Sequence, residues 1–146
     1  MSKNFILHFE QGMPKGTAQQ KGVAIRYKNG EPYIQHYKKD KVAALREEFM
    51  YRLNRYAPRV PYAGPVRLSV LLCFDVKDKK LWGKYKTTRP DGDNYIKELK
   101  DAMTECGFWG DDSQVADERV VRVYSEKAAI RIQVEELRQP GRLIKA

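Results

Sequence analysis

The sequence has few of the residues on which many catalytic and metal sites depend. It contains only two histidines, His8 and His36, which lie far apart along the chain. This scarcity argues against a histidine-rich zinc site and gives little support to a Ser-His-Asp triad. A glycine-rich phosphate loop followed by Lys-Ser or Lys-Thr is also missing, so the pattern excludes a P-loop nucleotide site.

Long apolar runs are missing as well. No stretch approaches the length needed to span a membrane, and the first residues lack the apolar core of a signal peptide. We therefore expect a protein of the reducing cytoplasm that does not act at a membrane. In that compartment Cys73 and Cys106 should remain unpaired and behave as small core residues.

Positive charge is abundant. The chain of 146 residues has a formal net charge of +9 and a sequence pI of about 9.5, which favours a polyanionic partner, above all nucleic acid. Its length and ordinary composition predict one domain over residues 1–137. A polar, basic tail over residues 138–146 completes the chain.

Hydrophobic periodicity predicts the elements of the fold. Residues 4–10 alternate as a strand, and Asn29-Gly30 lies between two strand-like runs, which is typical of a β-hairpin. Apolar residues recur at helical spacing over residues 41–56, with Asp40 as a candidate N-cap. Strict alternation over residues 66–74 predicts a strand with one buried face.

A second helix is predicted to begin near Asp93 or Asn94 and to end at Gly107, which suits the left-handed residue after a helix. Two further strands are predicted over residues 119–124 and 129–135. The resulting order is β-β-β-α-β-α-β-β.

Two basic surfaces could contact DNA. One is the first helix, whose polar face carries Arg46, Arg52 and Arg55; a solvated face is the plainer interpretation. The other is the segment 77–86, in which lysines alternate with aromatic residues. That combination suits phosphate contact and base stacking, although a flexible solvated loop is the alternative. The candidate contacts in this segment are Lys79, Lys80, Trp82, Lys84 and Lys86.

Acidic residues crowd the start of the second helix. Asp91 and Asp93 are separated by one residue, so a turning segment can aim both carboxylates at one point, and Gly92 permits an unusual backbone angle there. Two unit charges about 4 Å apart repel by roughly 4 kcal/mol at an effective dielectric of about 20. Such carboxylates either protonate or hold a cation, and a hard divalent cation suits an all-oxygen site. The plainer role for Asp93 is helix capping.

Lys97 lies one helical turn after Asp93 on the same face. It could form a plain ion pair worth about 0.3 kcal/mol, or it could stabilise charge on a phosphoryl transition state. We interpret Asp101 as structural, pairing with Lys97 or capping the polar face.

Asp111 and Asp112 follow the same helix in a loop that, taken alone, would most often be solvated. Taken with Asp91 and Asp93, they favour a metal site, provided that the fold returns this loop to the start of the helix.

Taken together in their sequence order, the motifs of residues 89–115 resemble those of the RusA family of Holliday junction resolvases. The matching residues are Arg89-x-Asp91-x-Asp93-Asn94-x-x-Lys97, Asp101-Ala102 and Gly107-Phe108-Trp109-x-Asp111-Asp112-x-Gln114-Val115. The resemblance is strong over roughly residues 89–127 and weaker over residues 12–16, which look like the basic N-terminal loop of phage-type members. Two positions depart from the family pattern: Tyr95 replaces a common aliphatic residue, and Arg122 replaces a common lysine.

The resemblance implies a site and a mechanism. It implies metal-binding catalytic aspartates at Asp91, Asp93 and Asp112 and a catalytic lysine at Lys97, with Asp111 and Arg89 in possible supporting roles. Mg²⁺ would be the cofactor, with Mn²⁺ as a possible substitute. Lys15 and Arg89 join the candidate DNA contacts.

The resemblance also implies an α+β fold in which a small mixed sheet packs against two main helices. The protein would act as a homodimer on a four-way DNA junction, since a twofold dimer presents one site to each of the two strands that must be cut. Recombination and repair in the cytoplasm of a bacterial host, near the nucleoid, is the expected setting.

Two other functions remain open on the sequence. One is a non-catalytic binder of DNA junctions, in which the aspartates serve only as caps and ion pairs. The other is a metal-dependent phosphoesterase that acts on a smaller substrate.

Overall fold

A mixed four-stranded β-sheet, covered on one face by two helices, forms the core of the protein. The computed structural model describes residues 2–15, 21–38, 40–89 and 92–139. In chain order the elements are β1 (Ser2–His8), β2 (Lys21–Lys28), β3 (Glu31–Lys38), α1 (Asp40–Leu53), β4 (Val66–Asp75), α2 (Asp93–Glu105), β5 (Val115–Ser125) and β6 (Ala129–Glu136). Short 3₁₀ turns lie at Asn54–Tyr56, Lys79–Leu81 and Asp112–Gln114.

The sheet has the strand order β1-β6-β4-β5. Strand β6 is antiparallel to both of its neighbours, whereas β4 and β5 run parallel to each other. Parallel neighbours need a crossover connection, and α2 supplies it. This arrangement confirms the predicted α+β class and the predicted order of elements, and it directs α2 back along the sheet.

Strand β4 shows the predicted alternation along its whole length. Val66, Leu68 and Leu72 are fully buried beneath the helices, whereas Ser69 and Leu71 are only half-buried on the opposite face. The strand thereby separates a closed core from an open face of the sheet.

Helix α2 buries the predicted stripe of Ile96, Leu99, Ala102 and Met103. It ends where expected: Gly107 has a φ of +87°, and the backbone N–H of Phe108 donates to the carbonyl of Met103 at 3.0 Å. The side chains of Phe108 and Trp109 are then buried against the core.

The hairpin of β2 and β3 confirms the Asn-Gly signal. Asn29 and Gly30 have φ values of 52° and 79°, as a two-residue turn with two left-handed residues requires. Among the described residues these strands pair only with each other, and they form a sheet of their own.

Some predicted boundaries were wrong. Helix α1 ends at Leu53, and the last predicted residues form a 3₁₀ turn. Strand β5 begins at Val115 rather than Arg119. The first half of β5 is polar, so it lacks the apolar alternation that predicts a strand. Its Asp117 is instead stabilised by Arg67 of the neighbouring strand, which donates to it at 2.6 Å and holds the pKa of Asp117 below its usual range.

The arginine face of α1 has partners within the protein. Arg52 pairs with Glu48 at 2.6 Å, and its guanidinium lies 4.6 Å from the ring centroid of Phe9. Arg46 faces α2. The two roles predicted for this face, exposure to solvent and contact with DNA, therefore do not apply to Arg46 or Arg52.

Other expectations concern the termini and cysteines. Cys73 and Cys106 are free and half-buried, as expected, and burial raises the pKa of both thiols. Residues 140–146 of the predicted tail lie outside the described residues. In the part of the chain that the structure describes, no helix is long and apolar enough to cross a membrane.

The two faces of β4 allow a matched test of the core. Leu72 is fully buried, so Leu72→Ala should lower the free energy of unfolding by about 3 kcal/mol, because it leaves a cavity. Leu71→Ala, on the open face of the same strand, should cost about 1 kcal/mol. Urea denaturation of both variants measures the difference, and equal losses would contradict the assignment of the covered face.

Candidate active site

The first turn of α2 lies against the carboxyl-terminal halves of the parallel strands. A Cβ atom added to Gly92 would lie 3.3 Å from Cγ1 of Val120 and 3.4 Å from Cδ of Arg122. The φ of Gly92 is −82°, which any residue adopts, so the expectation of an unusual backbone angle was wrong. The close approach of the backbone to side chains of the sheet favours glycine here, and this packing helps to set the position from which Asp93 projects.

Asp93 is the first residue of α2 and is exposed. Gly92 occupies the N-cap position, so the capping role considered for Asp93 is wrong. Lys97 is exposed one turn later, and among the described residues it forms no ion pair with Asp93 or Asp101. Asp91 lies outside the described residues.

The loop that precedes the hairpin is held beside this end of α2. The hydroxyl of buried Tyr95 donates to the carbonyl of Pro14 at 2.6 Å, and the backbone N–H of Met13 donates to Oδ1 of Asp75 at 3.1 Å. The next residue, Lys15, is exposed. The structure therefore brings Lys15 to the same end of α2 as Asp93.

The lysine-rich segment 77–86 lies along the outer edge of β5. Its backbone exchanges hydrogen bonds with that strand, including Gly83 N–H to the Tyr124 carbonyl at 2.9 Å and Tyr124 N–H to the Lys84 carbonyl at 3.0 Å. The indole N–H of half-buried Trp82 donates to the carbonyl of Val76 at 2.9 Å. A flexible solvated loop therefore does not describe this segment, although Lys79, Lys80 and Lys84 are exposed.

Lys86 differs from the other predicted DNA contacts. It is only 7% exposed, its ammonium lies 4.8 Å from the ring centroid of Phe74, and it donates to the carbonyl of Thr88. Arg122 donates to the same carbonyl at 3.2 Å. Burial argues against DNA contact by Lys86, which instead supports the chain leading to the exposed Arg89.

The Asp111-Asp112 loop lies at the opposite end of α2. Asp111 caps the 3₁₀ turn, accepting the backbone N–H of Ser113 at 3.1 Å, and this bond holds the pKa of Asp111 below its usual range. Asp112 is half-buried and follows this cap directly. The structure thus gives Asp111 a structural role and leaves Asp112 as the better candidate ligand.

Gln114 fastens this loop to the rest of the protein. Its amide nitrogen donates to the carbonyls of Tyr62 and Gly64 at 2.8 and 2.9 Å. Its amide oxygen accepts the backbone N–H groups of Gly110 and Asp111 at 2.9 and 3.3 Å. Gln114 therefore helps to hold the loop that carries Asp112, a role that the sequence did not reveal.

Arg46 neutralises the acidic surface next to the loop. It pairs with Glu98, Asp101 and Glu105 of α2 at 3.0, 2.8 and 3.5 Å. The expectation that Asp101 pairs with Lys97 was therefore wrong, although its structural role holds. An open pocket is lined by Arg46, Asp101, Thr104, Glu105, Gly110, Asp111 and Asp112.

Asp93 and Asp112 do not meet within one protomer. Helix α2 has 13 residues, which at 1.5 Å per residue separate its ends by about 18 Å. Ligands of a hard cation lie about 2.0–2.6 Å from it, so one ion cannot touch both ends of the helix. Among the described residues, no group of three or more acidic, histidine or cysteine residues could hold a metal.

The two departures from the family pattern have structural explanations. Tyr95 is buried, with its ring 5.5 Å from that of Phe74 and its hydroxyl on the Pro14 carbonyl. An aliphatic residue could supply the packing but not the hydrogen bond. Arg122 donates a hydrogen bond to the carbonyl of Thr88, as described above.

Comparisons with known proteins match most of the chain. The model of the family described as Endodeoxyribonuclease RusA matches residues 11–135. A protein of Lactococcus phage r1t, named crossover junction endodeoxyribonuclease rusA, is 33% identical over 135 residues, covering 91% of this chain and 98% of that protein. The uncharacterized protein YqaN of Bacillus subtilis strain 168 is 30% identical over 138 residues, covering 87% of this chain and 89% of that protein.

Gln114→Leu tests whether one side chain holds the acidic loop. The substitution removes the four hydrogen bonds described above and should lower the free energy of unfolding by about 2–3 kcal/mol. Gln133→Leu, at an exposed position of β6, is the matched control and should stay near the wild-type value. Urea denaturation measures both, and an unchanged Gln114→Leu protein would remove Gln114 from this role.

Proposed function

Because this chain belongs to the RusA family of endodeoxyribonucleases, we propose that it resolves four-way DNA junctions by paired hydrolysis of phosphodiester bonds. Mg²⁺ would be its cofactor, with Mn²⁺ as a substitute. The reaction would serve DNA recombination and repair in the cytoplasm of a bacterial host, where the free cysteines would remain reduced.

One observation carries the proposal: an exposed carboxylate stands at the first turn of α2 among exposed cations. Asp93 lies at the helix end, Lys97 one turn later, Lys15 on the loop tied to Tyr95, and Arg89 shortly before the helix. The cations would draw in a phosphate backbone, and the carboxylate would hold a counter-cation beside it.

The chemistry of the residues at this end suits Mg²⁺. That ion takes oxygen ligands and is usually held by one or two carboxylates together with waters and substrate phosphate. Asp93 and its neighbour Asp91 would supply the carboxylates, and the exposure of Asp93 leaves room for the other ligands. When bound, the ion would polarise the scissile phosphate and lower the pKa of a coordinated water.

Lys97 and Arg89 would act on the substrate. Since Lys97 is exposed and has no ion pair with Asp93, its ammonium is free to approach the phosphate and to stabilise the charge that develops in the transition state. Arg89 would hold a neighbouring phosphate, and its geometry allows two parallel hydrogen bonds.

We further propose that each active site is shared between two protomers. Asp93 begins α2, whose ends are about 18 Å apart, and Asp112 lies beside its last turns, near Thr104 and Glu105. We infer that Asp112 completes a site of a second chain. In a twofold dimer the two interfacial sites are equivalent, and each would take Asp91, Asp93 and Lys97 from one protomer and Asp112 from the other. Asp111 would assist by capping the turn that carries Asp112.

The path of the DNA would follow the exposed cations of the same end. Lys79, Lys80 and Lys84 extend it along the outer edge of β5, and Trp82 would offer its ring to a base. We leave Lys86 out of this proposed surface because it is buried. Binding should weaken as salt rises, because phosphate contacts release counterions.

Mixing two inactive variants tests the shared site. Asp93→Asn and Asp112→Asn should each abolish Mg²⁺-dependent cleavage of a synthetic junction. In a mixed dimer both substitutions fall in one site and leave the other intact, so nicking of one strand per junction should return. Denaturing gels with each strand labelled in turn detect the nick.

The control mixture combines Asp93→Asn with Lys97→Ala. Both residues lie at the same end of α2, so each site of the mixed dimer keeps one defect and no activity should return. Failure of the first mixture to cut, with wild type active, would place the whole site within one protomer.

Junction binding separates the proposed nuclease from the alternatives. Asp112→Asn should still bind the junction in a mobility-shift assay, with affinity within about threefold of wild type, because no proposed DNA contact is removed. Wild-type protein that binds but cuts nothing with Mg²⁺ or Mn²⁺ would be a junction-binding protein only. Equal turnover of junctions, linear duplex and nucleotides would indicate a general phosphoesterase.

A further inference from the structure

The loop of residues 12–15 is held at two points beside the first turn of α2. Tyr95 is only 2% exposed, and its hydroxyl donates to the carbonyl of Pro14 at 2.6 Å. The backbone N–H of Met13 donates to Oδ1 of Asp75 at 3.1 Å. These bonds join residues 81 and 62 positions apart in the sequence, so the tertiary fold holds the loop in place.

The two side chains that hold the loop belong to adjoining parts of the core. The ring of Tyr95 packs edge-on against the ring of Phe74, with 5.5 Å between the centroids. Asp75 follows Phe74 and is the last residue of β4. Helix α2 and the end of β4 therefore hold the loop together, and its position follows that of the helix that carries Asp93.

The backbone of the loop is shaped to approach Asp75. Gly12 has a φ of +92°, in the left-handed region that favours glycine. A Cβ atom added to Gly12 would lie 3.3 Å from Oδ2 of Asp75, so a larger residue would crowd the carboxylate that binds Met13. The N–H of Gly12 donates to the carbonyl of Phe9 at 3.1 Å and closes the turn that leads into the loop.

Packing alone does not explain the tyrosine on α2. The family pattern commonly has an aliphatic residue at position 95, and such a residue could pack on Phe74. Only a hydroxyl at this position could also donate to the carbonyl of Pro14. The hydroxyl of Tyr95 therefore contributes the hold on the loop and little else.

We propose that Tyr95 and Asp75 are positioning residues for DNA binding, because they hold the loop where Lys15 meets a phosphate beside Asp93. This inference rests on the proposed function, from which it takes the path of the DNA. It adds that part of the affinity for DNA comes from two residues that make no contact with DNA themselves.

A fixed backbone makes the cation of the loop more effective. Lys15 is exposed and directly follows Pro14, whose carbonyl Tyr95 holds. A loop that becomes ordered only on binding loses conformational entropy at that moment, whereas an anchored loop has already lost it on folding. Anchoring therefore tightens binding without adding a contact to the DNA.

The charge of Asp75 makes its predicted effect distinctive. An exposed carboxylate near DNA repels phosphate, so by electrostatics alone its removal should strengthen binding. Asp75→Ala should instead weaken binding, because the N–H of Met13 loses its acceptor. Asp75→Asn keeps an acceptor oxygen and should bind at least as tightly as wild type.

Junction binding without metal tests these effects. Fluorescence anisotropy with a synthetic four-way junction in EDTA gives the dissociation constants. Tyr95→Phe and Asp75→Ala should each raise the constant by about threefold or more, as the loss of one hydrogen bond predicts. Glu126→Ala removes another exposed carboxylate from the pocket that Asp75 lines. This control should leave the constant unchanged or lower it. Wild-type or tighter binding by Tyr95→Phe or by Asp75→Ala would overturn the proposal.

A double-mutant cycle separates positioning from a general loss of stability. Lys15→Ala should weaken binding and lower the slope of log Kd against log salt by about one. Tyr95→Phe should add no further loss in that background, because the loop no longer presents its cation. Equal losses from Tyr95→Phe with and without Lys15 would overturn the positioning role. Cleavage enters neither measurement, so a wild type that binds junctions without cutting them would refute the proposed nuclease and leave this inference standing.

Discussion

The rigid length of α2 is the constraint on which the rest of the structure depends. A parallel pair of strands needs a crossover, and 13 helical residues supply it by running the length of the sheet. The close approach of Gly92 to β5 holds one end, and the Gly107 turn with buried Phe108 holds the other. Both ends of α2 are therefore held in place. The acidic residues at the Asp93 end and those at the Asp112 end cannot approach each other within one chain.

The acidic residues at the two ends of α2 have different surroundings. At the Asp112 end, Arg46 pairs with three carboxylates of α2, Asp111 is used as a cap, and Gln114 fixes the loop. At the Asp93 end, exposed lysines and an arginine surround an exposed carboxylate. A net charge of +9 thus conceals a polarity along α2, with exposed cations near its first turn and an acidic loop beside its last turn.

Several side chains that read as DNA contacts in the sequence are structural. Lys86 turns inward over Phe74, and Arg46 and Arg52 are held by carboxylates, so a basic residue near the site is not by itself a phosphate contact. Tyr95, a departure from the family pattern, is structural as well, because its hydroxyl ties the N-terminal loop to α2. This end of the site is held by hydrogen bonds from side chains to backbone carbonyls.

The sequence by itself determined the order of elements, the alternation of β4, the Asn29-Gly30 turn and the Gly107 stop, because each depends on residues near one another in the chain. The motif also determined the family, and with it the candidate ligands. Only the tertiary structure decided that Arg46 pairs with α2, that Gln114 holds the acidic loop, and that Asp93 and Asp112 stay apart in one protomer. These depend on the direction in which α2 crosses the sheet and on partners about 50 residues away, distances that local periodicity does not encode.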